Sequence, residues 1–225
     1  MKVSKARRAV WSTVGLVLLL AACGDGDAPS PGQTSQSPTA SPMAAVTVDW
    51  AARPAAPVEL ADGFTVQACP GDAPFLCVSR ESEAAGFIEY FPFPSPEGDA
   101  EDALRELVAD DYRTFTEDRE TTCPSGYQVE TVEPVAAEVG GEDGLRSEYF
   151  VTDAGGKTVE RYVKHWAIAG GQVHLISAEA QEEGSCSPGD GGQFTDAALT
   201  DFEPFLAAIA EGSRFPAAAS PTPQG

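Results

Sequence analysis

The chain of 225 residues contains 35 acidic and 14 basic residues, which give it a formal net charge of −21 at pH 7. Such an excess of negative charge argues against a nucleic-acid partner and against electrostatic binding to an anionic bilayer. The length between the terminal segments suffices for one domain with its own core, and we expect a monomer.

Residues 1–22 have the pattern of a secretory signal peptide: a basic start, a short apolar run from Ala9 to Leu20 and small residues at the exit. The run is too short to span a bilayer, which takes roughly 20 residues. Its end, Leu20-Ala21-Ala22-Cys23, resembles the bacterial lipobox, whose cysteine is diacylated and becomes the new N-terminus. An ordinary signal peptide with a chance cysteine is the alternative. We predict that residues 1–22 are removed and that Cys23 anchors the protein to the extracytoplasmic face of the cell membrane.

Residues 23–57 are predicted to form a flexible tether behind the lipidated cysteine. The stretch from Gly24 to Pro42 is rich in Pro, Ser and Thr and has no large apolar residue. Such a segment cannot bury enough surface to offset the entropy lost on ordering. We place a single globular domain at residues 58–215 and a disordered C-terminal tail at residues 216–225.

The first part of the domain predicts three strands followed by a helix. Two strands, Phe64–Cys69 and Phe75–Arg80, flank a turn rich in Pro, Gly and Asp. A third strand covers Ala85–Pro94, where prolines end it. Apolar residues then recur at helical spacing, which predicts a helix from about Ala100 to Asp118.

The second part predicts four more strands and a closing helix. Paired glycines, which suit hairpin turns, separate the strands Tyr127–Val139, Leu145–Asp153, Thr158–Gly170 and Gln172–Ala180. Helical spacing from Phe194 to Glu211 predicts the second helix, in which Pro204 either causes a kink or marks the beginning. We expect the core to include Leu104, Leu107, Phe115, Trp166, Leu175, Phe202 and Leu206.

Hairpin-joined strands with segregated helices predict an α+β domain on an antiparallel sheet. The element order, the GLRSEYF strand, the W-x-I-x-G-G-x-V-x-L hairpin at Trp166–Leu175 and the closing helix resemble the PsbP-like fold, especially the actinobacterial lipoproteins of the LpqN type. The resemblance covers about Phe64 to Phe215. It implies a curved antiparallel β-sheet flanked by two main helices in an α/β/α sandwich. It also implies a binding or scaffolding role, and it supplies no catalytic residues.

Four cysteines of the domain lie outside the cytoplasm if the lipobox is used, and an oxidising compartment favours disulfides over metal or free thiols. Four cysteines allow three connectivities. Cys69 and Cys77 flank a short turn between neighbouring strands, so we predict a Cys69–Cys77 disulfide. The second disulfide is then Cys123–Cys186, between the end of the first helix and the loop before the second.

The two histidines are the candidates for a metal site. A two-residue turn at Gly170-Gly171 places His165 opposite Ile176 and His174 opposite Ala167, so both histidines share one face of the sheet. With a carboxylate, such a pair can bind a metal. We expect instead two half-exposed histidines and no metal, because no third ligand is identifiable from the spacing.

Motifs that activate a nucleophile or bind phosphate are missing: the chain has no G-x-S-x-G, P-loop, G-x-G-x-x-G or H-E-x-x-H. We therefore name no catalytic residue and no cofactor. The expected role is a binding or accessory module of the cell envelope, with an envelope protein or a small ligand as partner. The alternatives are an envelope hydrolase that uses an unidentified carboxylate or histidine and a carrier of small molecules or lipids.

Overall fold

The computed structural model describes residues 46–71, 74–186 and 193–217. The predicted signal peptide, Cys23 and the first part of the predicted tether lie outside the described residues, as does the tail from residue 218 onwards. Within the described ranges the chain forms ten β-strands, two α-helices and a short 3-10 turn at Ala61–Gly63.

The elements follow the predicted order, with added short strands at both ends. The strands of the first half are β1 (Val48–Asp49), β2 (Val58–Glu59), β3 (Phe64–Ala68), β4 (Phe75–Arg80) and β5 (Glu83–Pro94), followed by α1 (Ala100–Thr122). The second half contains β6 (Gln128–Val139), β7 (Glu142–Thr152), β8 (Thr158–Ala169), β9 (Gln172–Gln181), α2 (Asp196–Glu211) and β10 (Ser213–Arg214). Pro204 lies inside α2 and does not mark its beginning.

One large sheet carries the fold. Its strand order is β2-β3-β4-β5-β9-β8-β7-β6, and every neighbouring pair is antiparallel. The pairing of β5 with β9 joins the two halves of the chain in the middle of the sheet. An eight-stranded antiparallel sheet with two helices confirms the predicted α+β fold class.

The two helices cover opposite faces of the sheet, because alternate residues of each strand contribute to different cores. Phe202 and Leu206 of α2 lie in the larger core with Phe64, Ile88 and Ile176. Leu104 and Val108 of α1 lie in a smaller core on the other face, together with Leu145, Trp166 and Val173 of the sheet. Of the predicted core residues, the three that are only half-buried are Leu107, Phe115 and Leu175.

Residues 46–57 correct the predicted tether, which was extended too far. β1 pairs in parallel with β10, and Trp50 is only 4% exposed. The Trp50 ring stacks on Tyr90 at 4.7 Å, and its Nε1 donates to Ser213 Oγ at 2.9 Å. One large aromatic side chain buries enough area to order a segment that is otherwise rich in Ala and Pro. The folded domain therefore includes the chain from Val46, not from residue 58.

Both predicted disulfides are confirmed. The Sγ atoms of Cys69 and Cys77 are 2.10 Å apart, and those of Cys123 and Cys186 are 2.04 Å apart. The first disulfide joins the ends of β3 and β4. The second fixes the C-terminal end of α1 to the segment that follows β9.

Candidate functional site: a groove between the first helix and the edge strand

Helix α1 is capped at its N-terminal end and is bound to the sheet near its C-terminal end. Its N-cap, Asp99, accepts hydrogen bonds from the backbone nitrogens of Glu101 at 3.0 Å and Asp102 at 3.2 Å. Near its C-terminal end Arg119 donates from Nε to Glu160 of β8 at 2.8 Å. The helix packs on β6, β7 and β8, and this placement leaves a gap along its β6 side.

Strand β6 is an edge strand of the sheet, and most of its residues are exposed. A β-bulge interrupts its pairing with β7: Val132 is opposite Glu148 and Val135 is opposite Arg146, so Glu133 and Pro134 together face a single residue of β7. Val132 and Val135 are 43% and 49% exposed. The outer backbone edge of β6 has no strand partner in the described part of the chain.

Three hollows follow one another between α1 and β6, and together they form the feature that we call the α1–β6 groove. The first, of about 630 Å³, includes Leu104 and Ala136. The middle one, of about 320 Å³, lies between Tyr112 and the bulge residue Pro134. The third, of about 490 Å³, lies between Thr116 and Val129, next to the second disulfide. Arg105 lines both the first and the middle hollow.

The groove is acidic. Seven acidic residues contribute to its lining, namely Asp99, Glu101, Glu120, Glu130, Glu133, Glu138 and Asp143. The two arginines of its lining already have partners: Arg105 bridges Glu101 at 2.9 Å, and Arg119 bridges Glu160. The sequence could not single out these carboxylates among 35, because only the packing of α1 brings them to β6.

The histidines share one face of the sheet, as predicted, and they also have the predicted neighbours Ile176 and Ala167. The prediction of half-exposed side chains was wrong: His165 is 2% and His174 1% exposed, since α2 and the C-terminal segment cover this face. His174 bonds Tyr90 Oη through Nδ1 at 2.8 Å and stacks on Phe215 at 3.9 Å. Among the described residues, no three His, Cys, Asp or Glu side chains come together as metal ligands.

His165 differs from His174 because neither of its ring nitrogens has a hydrogen-bond partner. Burial, helped by the guanidinium of Arg146, lowers the pKa of His165 to about 4. The imidazole is therefore neutral at pH 7. It lies in the face covered by α2 and does not line the α1–β6 groove.

A charged network under α2 was missed at the sequence level. Arg161 binds Glu148 at 2.6 Å and Glu203 of α2 at 2.5 Å, and Arg146 binds the same two carboxylates. In the sequence, the only indication of this network is that charged residues occupy alternate positions of the predicted strands. The network fixes α2 to the sheet and leaves these charges with partners inside the protein.

In the described ranges, no helix combines the length and the apolar character that crossing a membrane requires.

No protein-family model matches the chain, and no curated protein matches it. Among solved structures, the fold is similar to that of cyanobacterial PsbP (CyanoP) from Synechocystis sp. PCC 6803, with a TM-score of 0.43 and 10% sequence identity. The match covers 67% of this chain and 85% of the other. This likeness concerns the fold alone.

Proposed function

We propose that the protein is a lipid-anchored binding module of the cell envelope that holds an extended basic segment of a partner protein in the α1–β6 groove. The acidic lining of the groove is the observation on which this proposal depends. The anchor is Cys23, and the domain from Val46 onwards carries the binding surface. The lipobox-like stretch Leu20-Ala21-Ala22-Cys23 is the sequence feature that supports this location outside the cytoplasmic membrane.

The shape of the groove suits an extended chain. It follows α1 over most of its 23 residues, a length of about 34 Å at 1.5 Å per residue. Apolar side chains such as Val108 and Tyr112 lie in its middle part, where a partner's apolar side chains can be buried. A partner chain lying alongside β6 can also add backbone hydrogen bonds to the unpaired edge, as peptides do in β-augmentation.

Charge selects the partner. The lining carboxylates favour a segment rich in Lys or Arg, and the attraction weakens as salt screens it. A second copy of this chain is disfavoured as the partner. Its own β6 would bring the negative charges of Glu130, Glu133 and Glu138 close to those of the same residues in the first copy. Charged edges and bulges are a known means of preventing edge-to-edge association.

The binding test uses a fluorescent peptide of alternating Lys and Val residues, with the Glu–Val peptide as its counterpart. We expect the full chain to bind the basic peptide only. The variant Glu130→Lys/Glu133→Lys/Glu138→Lys is expected to bind it at least about tenfold more weakly, because charges near an interface change sign. The matched control, Glu59→Lys/Glu83→Lys/Glu211→Lys, changes the net charge equally at exposed positions away from the groove. Equal losses in the two variants would show that only net charge matters and would refute the groove.

The anchor is tested separately, by intact-mass analysis and membrane partitioning. We expect a diacylated species that begins at Cys23, and we expect Cys23→Ala to leave the membrane fraction. A Cys23→Ala protein that still partitions into membranes would contradict the anchor while leaving the groove proposal intact.

A further inference from the structure

The sheet face that carries α1 is only partly covered by it. α1 packs on β6, β7 and β8, so the same face of β4, β5 and β9 carries half-buried and exposed side chains. Three phenylalanines lie there. The ring of Phe75 is 5.6 Å from that of Phe87 and 6.4 Å from that of Phe91, and Phe91 is 39% exposed.

Glu89 lies in the centre of this aromatic group. Phe87 and Phe91 flank it along β5 on the same face, because side chains alternate along a strand. Across the sheet, Phe75 of β4 is directly opposite on one side and Ser177 of β9 on the other. Glu89 thus has a phenylalanine at three neighbouring positions of this face and a serine at the fourth.

The carboxylate of Glu89 has no cation of its own within the described residues. Its hydrogen bond is with Ser177 Oγ, at 3.4 Å. Burial raises the pKa of Glu89, and the nearby Glu179 carboxylate raises it further. The basic group that opposes this shift, Lys164, donates to Asp111 Oδ2 at 2.7 Å.

The buried carboxylates of Glu148 and Glu160, in contrast, each form an ion pair with an arginine. Glu148 has Arg161 at 2.6 Å, and Glu160 has Arg119 at 2.8 Å. The Arg119 pair also supplies a geometry for comparison, since its guanidinium carbon lies 4.5 Å from the centre of the Phe115 ring. In that arrangement one guanidinium contacts a carboxylate and an aromatic face together. Glu89 has rings beside it but no ion pair with a guanidinium among the described residues; the Arg53 guanidinium is bound to the backbone oxygen of Phe75 at 3.0 Å.

We infer that Phe75, Phe87, Phe91 and Glu89 form a second binding site, which receives an arginine side chain presented by a partner protein. A planar guanidinium stacks on aromatic faces and pairs with a carboxylate at the same time, which the compact ammonium of lysine does less well. Phe91 is 39% exposed at this face, whereas sites for free small molecules bury most of the ligand surface, which favours an arginine that is part of a larger partner. A protein that presents the arginine covers the rest of the face with its own surface.

The test is an NMR titration of the uniformly ¹⁵N-labelled full chain with acetyl-Ala-Arg-Ala-amide. The citrulline peptide, which has nearly the same shape without the charge, and the lysine peptide are the matched ligands. We expect the arginine peptide to shift amide signals of Phe87, Glu89 and Phe91, and the citrulline peptide to leave them unchanged. Glu89→Gln should weaken binding about tenfold or more, since it removes a charge-assisted hydrogen bond. Glu83→Gln, at the exposed start of the same strand, serves as the control and should change nothing.

Phe91→Ala provides a second variant, and an unchanged spectrum outside the site will show that each variant is folded. The inference is overturned if the citrulline peptide binds equally well, if the lysine peptide binds more tightly than the arginine peptide, or if the shifts map to the α1–β6 groove. It is also overturned if no shift is seen at any soluble peptide concentration.

Discussion

Replacing Arg119 by methionine tests how α1 is held in the position that creates the groove. The side chain of Arg119 is 9% exposed and that of Glu160 is fully buried. The substitution keeps a long apolar side chain over Phe115 but removes the guanidinium. Glu160 then becomes a buried carboxylate without its cation.

The magnitude follows from the contacts that remain. Removing one partner of a buried ion pair costs roughly 3–5 kcal/mol. Glu160 keeps three donors, since it accepts from Tyr162 Oη at 3.1 Å, Ser185 Oγ at 2.8 Å and the Cys186 nitrogen at 2.7 Å. We therefore expect a loss near the lower limit, about 3 kcal/mol in the free energy of unfolding. For a domain of this size that corresponds to a fall in Tm of roughly 6–12 °C.

The assay is urea and thermal unfolding with the disulfides intact, carried out as a double-mutant cycle. Glu160→Gln alone should also destabilise, because it leaves Arg119 partly buried without its main partner. The double variant Arg119→Met/Glu160→Gln leaves neither charge in place and should be more stable than the sum of the single effects implies, by about 2 kcal/mol. Arg113→Met, which breaks only exposed ion pairs on the same helix, serves as the control and should cause no measurable change.

Two results would refute this reasoning. If Arg119→Met lowers the free energy of unfolding by less than about 1 kcal/mol, the Arg119–Glu160 pair contributes no more than a surface ion pair does. Additive single effects would show that the two groups do not act together. In either case the second disulfide and the apolar face of α1 would be sufficient to hold the helix.

Two further predictions concern the larger core. Trp50→Ala should lower the free energy of unfolding by about 3–5 kcal/mol in urea titrations, because it opens a cavity beside Tyr90 and leaves Ser213 without its donor; a loss under about 1 kcal/mol would mean that residues 46–53 are dispensable. His165 has a pKa of about 4 when folded and about 6.5 when unfolded, so the unfolded chain binds the proton more tightly, and stability is complete above pH 6.5 and falls as the pH drops towards 4. The full loss is about 3 kcal/mol, and His165→Leu should flatten this part of the stability–pH curve; an equally steep curve in the variant would assign the slope to other groups.

The sequence by itself determined the local structure of this protein. Period-two and helical patterns placed β4 at Phe75–Arg80 and the beginning of α1 at Ala100, because one face of each element must be buried and the other wetted. Glycine turns fixed the register of the β8–β9 hairpin, including the positions of His165 and His174. The Cys69–Cys77 disulfide followed because its cysteines flank one short turn. All of these depend on residues close together in the chain.

Only the tertiary structure decided which faces are covered. The histidines are buried and Trp50 belongs to the core because α2, β1 and the C-terminal strand β10 come together from distant parts of the chain. The aromatic neighbours of Glu89 are local, since Phe87 and Phe91 are two residues away on β5 and Phe75 lies across the β4–β5 hairpin. The α1–β6 groove, however, exists because α1 packs on β7 and β8, and Ser177 lies beside Glu89 because β9 pairs with β5. Pairings between segments this far apart leave no periodic trace in the sequence, so no local pattern could select these carboxylates from the many others.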